Sequence, residues 1–383
     1  MTKLKITVAL SCVFFLMSAC GLMPAKNESK HPHSVSENKL NKINQAKYLV
    51  GFSNIENEGS EFALYNEDGQ NISRKTSKHG INLIMSTQNK HNLYFNSNRS
   101  NDFFKINLKS GGIKEFNEKS KSIETENEGS FFIEASDNYV YHDINVGYTD
   151  KGYESEFVYW KENSPNKKSH LTLKGMLNSA RIIDNKIFIL VNYDDEKLGI
   201  CVIDPQKNKV IKEHEIPNDG VFFIEGNEKD AFKVIDENTL ALAVADNVNQ
   251  KENSKVMLIN TDSLKVEKEI TFDEKSFIPL QIQQIDNKII IPSINGKVLI
   301  YDKGFKNVKS FNFNAGNTNK ILQNIQFDEK EMYVLTKNYT KTKNDVIGNI
   351  MTYSLQTGKQ ISNIEIKAEK DWEYARFEVI KKQ

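Results

Sequence analysis

From residue 47 onward the chain alternates short apolar–polar runs of five to eight residues with turns rich in Asn, Asp, Gly and Lys. Alternation of period two marks half-buried strands, and no long window carries helical periodicity. One hairpin recurs: an alternating strand, a polar turn and a second alternating strand. It appears as LYNEDGQNI (64–72), KINLKSGGI (105–113), VYWKENSPNKK (158–168) and VIDPQKNKV (202–210), and again as LINTDSLKV (258–266), IYDKGFKNV (300–308) and TYSLQTGKQ (352–360). The seven copies start 41, 53, 44, 56, 42 and 52 residues apart, a mean of 48. A period near 45 residues with several strands per unit is the signature of a β-propeller blade.

A second marker has the same period. Asp137-Asn138, Asp184-Asn185, Asp236-Glu237, Asp286-Asn287 and Asp328-Glu329 each separate two strands. Asx side chains suit such turns because they bond nearby backbone amides. The strands that follow (KIFILVN, TLALAVA, KIIIPSI, EMYVLTK) are apolar on both faces, as expected of sheets packed between sheets. The pattern predicts an all-β, seven-bladed propeller with four strands per blade. Only one strand, KYLVGFSN, precedes the first hairpin, and an extra run, WEYARFEVI, follows the last. The carboxyl-terminal strand is therefore expected to join three amino-terminal strands in one blade and close the ring.

Residues 186–217 resemble the YVTN-type repeat of bacterial seven-bladed propellers, through Asn192-Tyr193, Val202-Ile203-Asp204 and Asn208-Lys209-Val210. The resemblance is one of repeat pattern over 47–380; it implies a fold and an extracytoplasmic setting and no single activity.

The amino terminus has a different character. Lys3 and Lys5 precede a nearly unbroken apolar run from Ile6 to Met17, too short for a span of about 20 residues but suited to a signal-peptide core. Met17-Ser18-Ala19-Cys20 resembles the lipobox of bacterial lipoproteins. That resemblance implies cleavage before Cys20, acylation of its thiol and tethering to the outer side of a cell membrane. Two or three acyl chains hold a domain to a bilayer where one binds reversibly. Residues 1–19 are thus expected to be a signal peptide, 20–46 a lipid-anchored tether and 47–383 the propeller. As a coil, residues 21–46 would span roughly 25–30 Å. Within it His31 and His33 are read as parts of a solvated linker, not as metal ligands. Gly21 after the cysteine offers no inner-membrane retention signal in a Gram-negative cell.

Charge changes the picture only by exclusion. The chain has 51 basic and 51 acidic residues; without Lys3 and Lys5 the balance is 49 to 51, giving no electrostatic case for nucleic acid. Of the three cysteines, Cys20 and Cys201 remain after cleavage, and Cys201 lies in the apolar run GICVID as a small core residue.

No nucleophile elbow, zinc-protease helix, Cys pair, phosphate loop or dinucleotide fingerprint occurs, and neither a cofactor nor a metal is expected. Candidate ligand groups come from strand parity: three residues before the Asx turns stand Glu134, Arg181, Lys233 and Gln283, and the closing strand adds Arg376 and Glu378. Two of only four arginines fall here, against 47 lysines. This mixed-charge channel could hold a carboxylate, phosphate or sugar, or close on itself as ion pairs. Long connections at 142–156, 192–199, 245–255 and 337–349 offer a recognition face carrying Tyr148, Tyr153, Tyr193 and Tyr339. The leading expectation is a binding propeller for an envelope protein, peptide or small ligand. The alternative is a lyase, lactonase or hydrolase at the channel mouth, with His142-Asp143, Glu134 and Arg181 as base and anion-holding groups. A redox-cofactor sensor ranks below both.

Overall fold

The computed structural model describes residues 38–83, 85–121, 129–193, 197–217, 228–245, 254–272, 277–317, 319–339, 346–368, 370 and 372–381. Residues 1–37 lie outside this set, so Cys20, His31 and His33 are not described. The unit formed by residues 37–383 consists of seven antiparallel sheets.

In chain order, blade 1 spans residues 85–117, blade 2 133–174, blade 3 176–216, blade 4 232–271, blade 5 283–312 and blade 6 316–367. Blade 7 joins the two ends of the chain. Its innermost strand is Tyr374–Val379, followed outward by Tyr48–Ser53, Ser60–Tyr65 and Asn71–Ser77. The pairing runs from Tyr48 opposite Val379 to Ser53 opposite Tyr374, six residue pairs in one register. The closure expected from the unequal strand count at the two ends is therefore the closure observed.

Burial follows position within the blade. Second and third strands are covered on both faces: every residue of Tyr48–Ser53 and of Ser60–Tyr65 is buried. Outermost strands keep one face in water, as in Val266–Thr271 and Asn307–Asn312. Seven separate hydrophobic clusters fill the junctions between neighbouring blades. The core is therefore a ring of seven wedges, each held by two sheets, and no blade buries its apolar surface alone.

The recurrent turn residues have two jobs. Between first and second strands, Asp184 and Asn185 both have positive φ, 48° and 60°, as a tight primed turn demands and as Asx tolerates. Between third and fourth strands, an Asx carboxyl or amide oxygen caps the turn. Asn107 Oδ1 accepts from the amides of Lys109 and Ser110, Asp204 Oδ1 from Gln206 and Lys207, and Asn260 Oδ1 from Asp262 and Ser263.

Two expectations are corrected. The tether does not extend to residue 46. Asn38–Lys39 pairs with Gly112 and Ile113 as a fifth strand on the outer edge of blade 1, and Leu40, Ile43 and Ala46 are buried against blades 7 and 1. Three apolar residues spaced by three in a Lys- and Asn-rich stretch carry too little periodicity to register as structure, yet each finds a prepared hollow. The segment 142–156 is not a loop. Tyr139–Thr149 and Gly152–Lys161 form a long ribbon joined only by Asp150-Lys151. Its polar residues misled because several of them, His142, Asp143, Ser155 and Glu156 among them, are buried within the sheet instead of facing solvent. Parts of the other three long connections (194–196, 246–253 and 340–345) lie outside the described residues.

Candidate functional site: the inner polar ring and the face of the long connections

Each blade presents its first strand to the centre, and polar side chains from these strands touch from blade to blade around the whole circle. Ser86 Oγ donates to Glu378 Oε1 at 2.5 Å, joining blades 1 and 7. Thr87 Oγ1 meets Glu134 Oε2 at 3.4 Å, and Glu134 Oε1 accepts from Arg181 at 2.5 Å. Arg181 then reaches Asp230 at 4.0 Å, at the entry to blade 4. Lys233 Nζ donates to Gln283 Oε1 at 3.3 Å, Gln281 Nε2 to the Ile325 carbonyl at 3.3 Å, and Gln326 Nε2 to Glu378 Oε1 at 3.4 Å. Every junction is spanned by at least one of these contacts. Glu134, Arg181, Lys233, Gln283 and Glu378 all lie on first strands and take part in these contacts, and Arg376 lies on the same strand as Glu378.

The parity rule missed Ser86, Thr87, Gln326 and Asp230. Blade 1 has no Asp-Asn turn to count from; Asn89-Lys90-His91 takes its place. In blade 6 the turn is Asp328-Glu329-Lys330, so counting three back from Asp328 lands on Ile325, whereas three back from Glu329 gives Gln326. Asp230 sits on the four-residue helical turn Glu228–Ala231, for which the repeat offers no template.

Arg376 is among the largest fully buried side chains, at 2% exposure. Its Nε donates to Ser86 Oγ at 3.3 Å, and its Nη2 has no hydrogen-bond partner among the described residues. Ser86 therefore bridges Arg376 and Glu378, and the ring carries its cationic and acidic groups in alternation rather than as one sign.

His142 is not part of this ring. It lies on the second strand of blade 2 with 0% exposure, its ring 4.1 Å from that of Phe103 and 5.8 Å from that of Trp160. The convergence of His142 with Glu134 and Arg181 expected of a channel-mouth enzyme is absent. Adjacent in sequence, His142 pairs with Ile133 and Tyr141 with Glu134, so alternation turns the imidazole to the blade 1–blade 2 wedge. Asp143 faces the other way, its Oδ1 accepting from Ser130 Oγ and the amides of Phe131 and Phe132.

Burial lowers the His142 pKa to about 4 from its ordinary 6.5, and raises that of Asp143 to about 7 from 3.8. Folding thus releases a proton from the histidine and retains one on the aspartate over nearly the same pH range. The depressed histidine costs stability as pH falls from 6.5 towards 4; the raised aspartate costs stability as pH rises from 4 to 7. The two slopes oppose. His142→Gln is expected to leave stability falling with rising pH across that window, and Asp143→Asn to leave it rising. Urea denaturation at half-unit pH steps reads the sign directly.

The second-to-third strand connections and the links between blades share one face. Here, between blades 2 and 3, lies an open groove of about 600 Å³ lined by Lys151, Tyr153, Lys174, Tyr193 and the Glu213–Glu215 stretch. Tyr148, 72% exposed, stands edge-on to Tyr153 with ring centres 5.1 Å apart. Tyr153 Oη donates to Asn145 Oδ1 at 2.5 Å, which fixes the ring in the wall. Burial, and then Glu213, pushes the Tyr193 phenol up to about 12, so it is a neutral donor at any physiological pH. Two glycines shape the groove. Gly175 links the blades at φ +89°, and a Cβ there would sit 2.4 Å from the Asn192 carbonyl. A Cβ on Gly199 would sit 2.6 Å from the Tyr193 ring. The structure therefore gathers three of the four recognition tyrosines on two adjacent blades; Tyr339, 61% exposed, stands apart on blade 6.

No family model and no curated protein matches the chain. Solved structures do. A dihydro-heme d1 dehydrogenase, NirN, in complex with DHE superposes with a TM-score of 0.52 at 12% identity, over 83% of this chain and 64% of that one. A functionally unknown protein from Desulfotomaculum acetoxidans superposes at 0.52 and 10% identity, over 82% of this chain and 95% of the other. The chain thus spans less than two thirds of the dehydrogenase. Identities this low carry the fold alone.

Proposed function

We propose that the chain is an extracytoplasmic, lipid-anchored propeller, built from repeats of the YVTN type, that binds a partner on its long-connection face. The groove between blades 2 and 3 is the observation that carries this reading. It is open, half polar and half apolar, and bears rigid tyrosines beside both charge signs, the composition of a recognition surface rather than of a scaffold flank. The partner it suits is an extended peptide or exposed segment of an envelope protein with mixed charge. The lipobox resemblance at Cys20 supports the mooring, and the inner ring, closed on itself, supports a rigid platform.

The test uses the full chain in its native membrane with a photoreactive residue at Tyr148. Crosslinking to one discrete partner is expected. Tyr153→Ala and Tyr193→Ala are expected to weaken it roughly tenfold each, as for tyrosines at the centre of an interface. Crosslinks unchanged by both substitutions would remove the groove from the reading. For the mooring, Cys20→Ser is expected to release the protein from the membrane fraction, as read by fractionation and acyl labelling.

A further inference from the structure

Where blade 7 hands over to blade 1, three side chains of metal-binding type converge. His79 lies in the link that follows the Asn71–Ser77 strand; Asp102 begins the third strand of blade 1 and Glu115 lies on the fourth. One ligand atom from each lies within 4.8 Å of the others, and His79 Nε2 is 3.7 Å from Glu115 Oε1. From this arrangement we propose a binding site for a divalent first-row transition metal ion, held by His79, Asp102 and Glu115 with solvent completing the coordination.

The charge pattern points to a cation. Asp102 is 6% exposed, and among the described residues its carboxylate accepts from neutral donors: the Gly80 amide, Ser100 Oγ and Asn117 Nδ2. Glu115 accepts from Ser77 Oγ and faces His79. Among the described residues no lysine or arginine pairs with either carboxylate, so the imidazole is their one compensating group. Buried carboxylates are stable when paired with a cation or bound to a metal.

Geometry and donor chemistry narrow the ion. Metal–ligand bonds of about 2.1 Å place tetrahedral ligand atoms roughly 3.4 Å apart. Asp102 is held by its three donors, while His79 and Glu115, the more exposed pair, need close by only about an ångström. One imidazole and two carboxylates suit zinc or manganese, whereas calcium takes six to eight oxygens. Three protein ligands leave a position open. The ion would also pin the blade 7–blade 1 link to both outer strands of blade 1.

Cobalt(II) is the probe, because its visible absorption reports coordination by the protein. The full chain carrying His31→Ala and His33→Ala, which silences the amino-terminal histidines, is titrated with cobalt and then with zinc. One equivalent of cobalt is expected to bind and to be displaced by zinc but not by calcium. His79→Ala, at a largely exposed position that leaves the core intact, is expected to weaken binding by a hundredfold or more, and Glu115→Gln likewise; ligand loss exceeds the roughly 10–100-fold cost of losing a supporting group. Absence of a cobalt spectrum, or a spectrum unaltered by both substitutions, overturns the site. Displacement by calcium as readily as by zinc overturns the assignment to a transition metal.

Discussion

Removal of residues 372–383 unfolds the ring rather than trimming it: the truncated chain is expected to lose its cooperative transition or to melt at least 10 °C lower, on the order of several kcal/mol for a domain of this size. The strand that goes takes Ala375, Phe377, Val379 and Ile380 out of two wedges at once, blade 6 to blade 7 and blade 7 to blade 1. Burial of each large apolar side chain contributes roughly 1.5–3 kcal/mol. It also strips the Tyr48–Ser53 strand of its inner partner and the polar ring of Arg376 and Glu378. Differential scanning calorimetry decides the matter, and a truncated form melting like the full chain would mean that the seven wedges do not act as one unit. A milder companion, Phe377→Ala, is expected to cost about 3–5 kcal/mol, the range for emptying an aromatic site.

Arg181→Ala has the second-largest expected effect. The guanidinium lies between Glu134 and Asp230 and also donates to the Ala180 carbonyl, linking three blades from one side chain. Its removal leaves two carboxylates facing each other in a largely buried place, which costs about 3–5 kcal/mol. The double replacement Arg181→Met with Glu134→Gln removes a charge of each sign together and is expected to recover more than half of that loss. Equal losses in single and double variants, measured by urea denaturation, would show that packing of the arginine stem, not the ion pair, carries the stability.

The parts of the fold legible in sequence are those with short-range causes. Hairpin turns reveal themselves because Asx oxygens cap the amides two and three residues on, as at Asp204 and Asn260, and because positive φ at Asp184 and Asn185 narrows the choice of residue. Closure was legible by counting, since a four-stranded blade lacking a strand at one end must find it at the other. Counting three back from the Asx turn lands on inner polar residues at Glu134 and Arg181 and slips at Gln326, because Asp328 opens its three-residue turn whereas Asp137 stands in the middle of one. What escaped has long-range causes. His142 reads as a chemical group, yet its surroundings are set by Phe103, some 40 positions away on another blade. The docking of Leu40 and Ile43 depends on hollows made by blades 7 and 1. The gathering of His79, Asp102 and Glu115 needs three separate segments to meet, which no spacing within one of them announces.

The pairing of Tyr48 with Val379 has a consequence for biosynthesis. Six sheets can form in turn as the ribosome delivers them, but the seventh waits until residues 374–379 have followed all the others. Until then the nascent chain carries an open-ended arc with two uncovered flanks, vulnerable to aggregation. Completion of the circle is thus the last sheet-forming event along the chain, and the first-made strands of the seventh sheet spend most of synthesis without their inner partner.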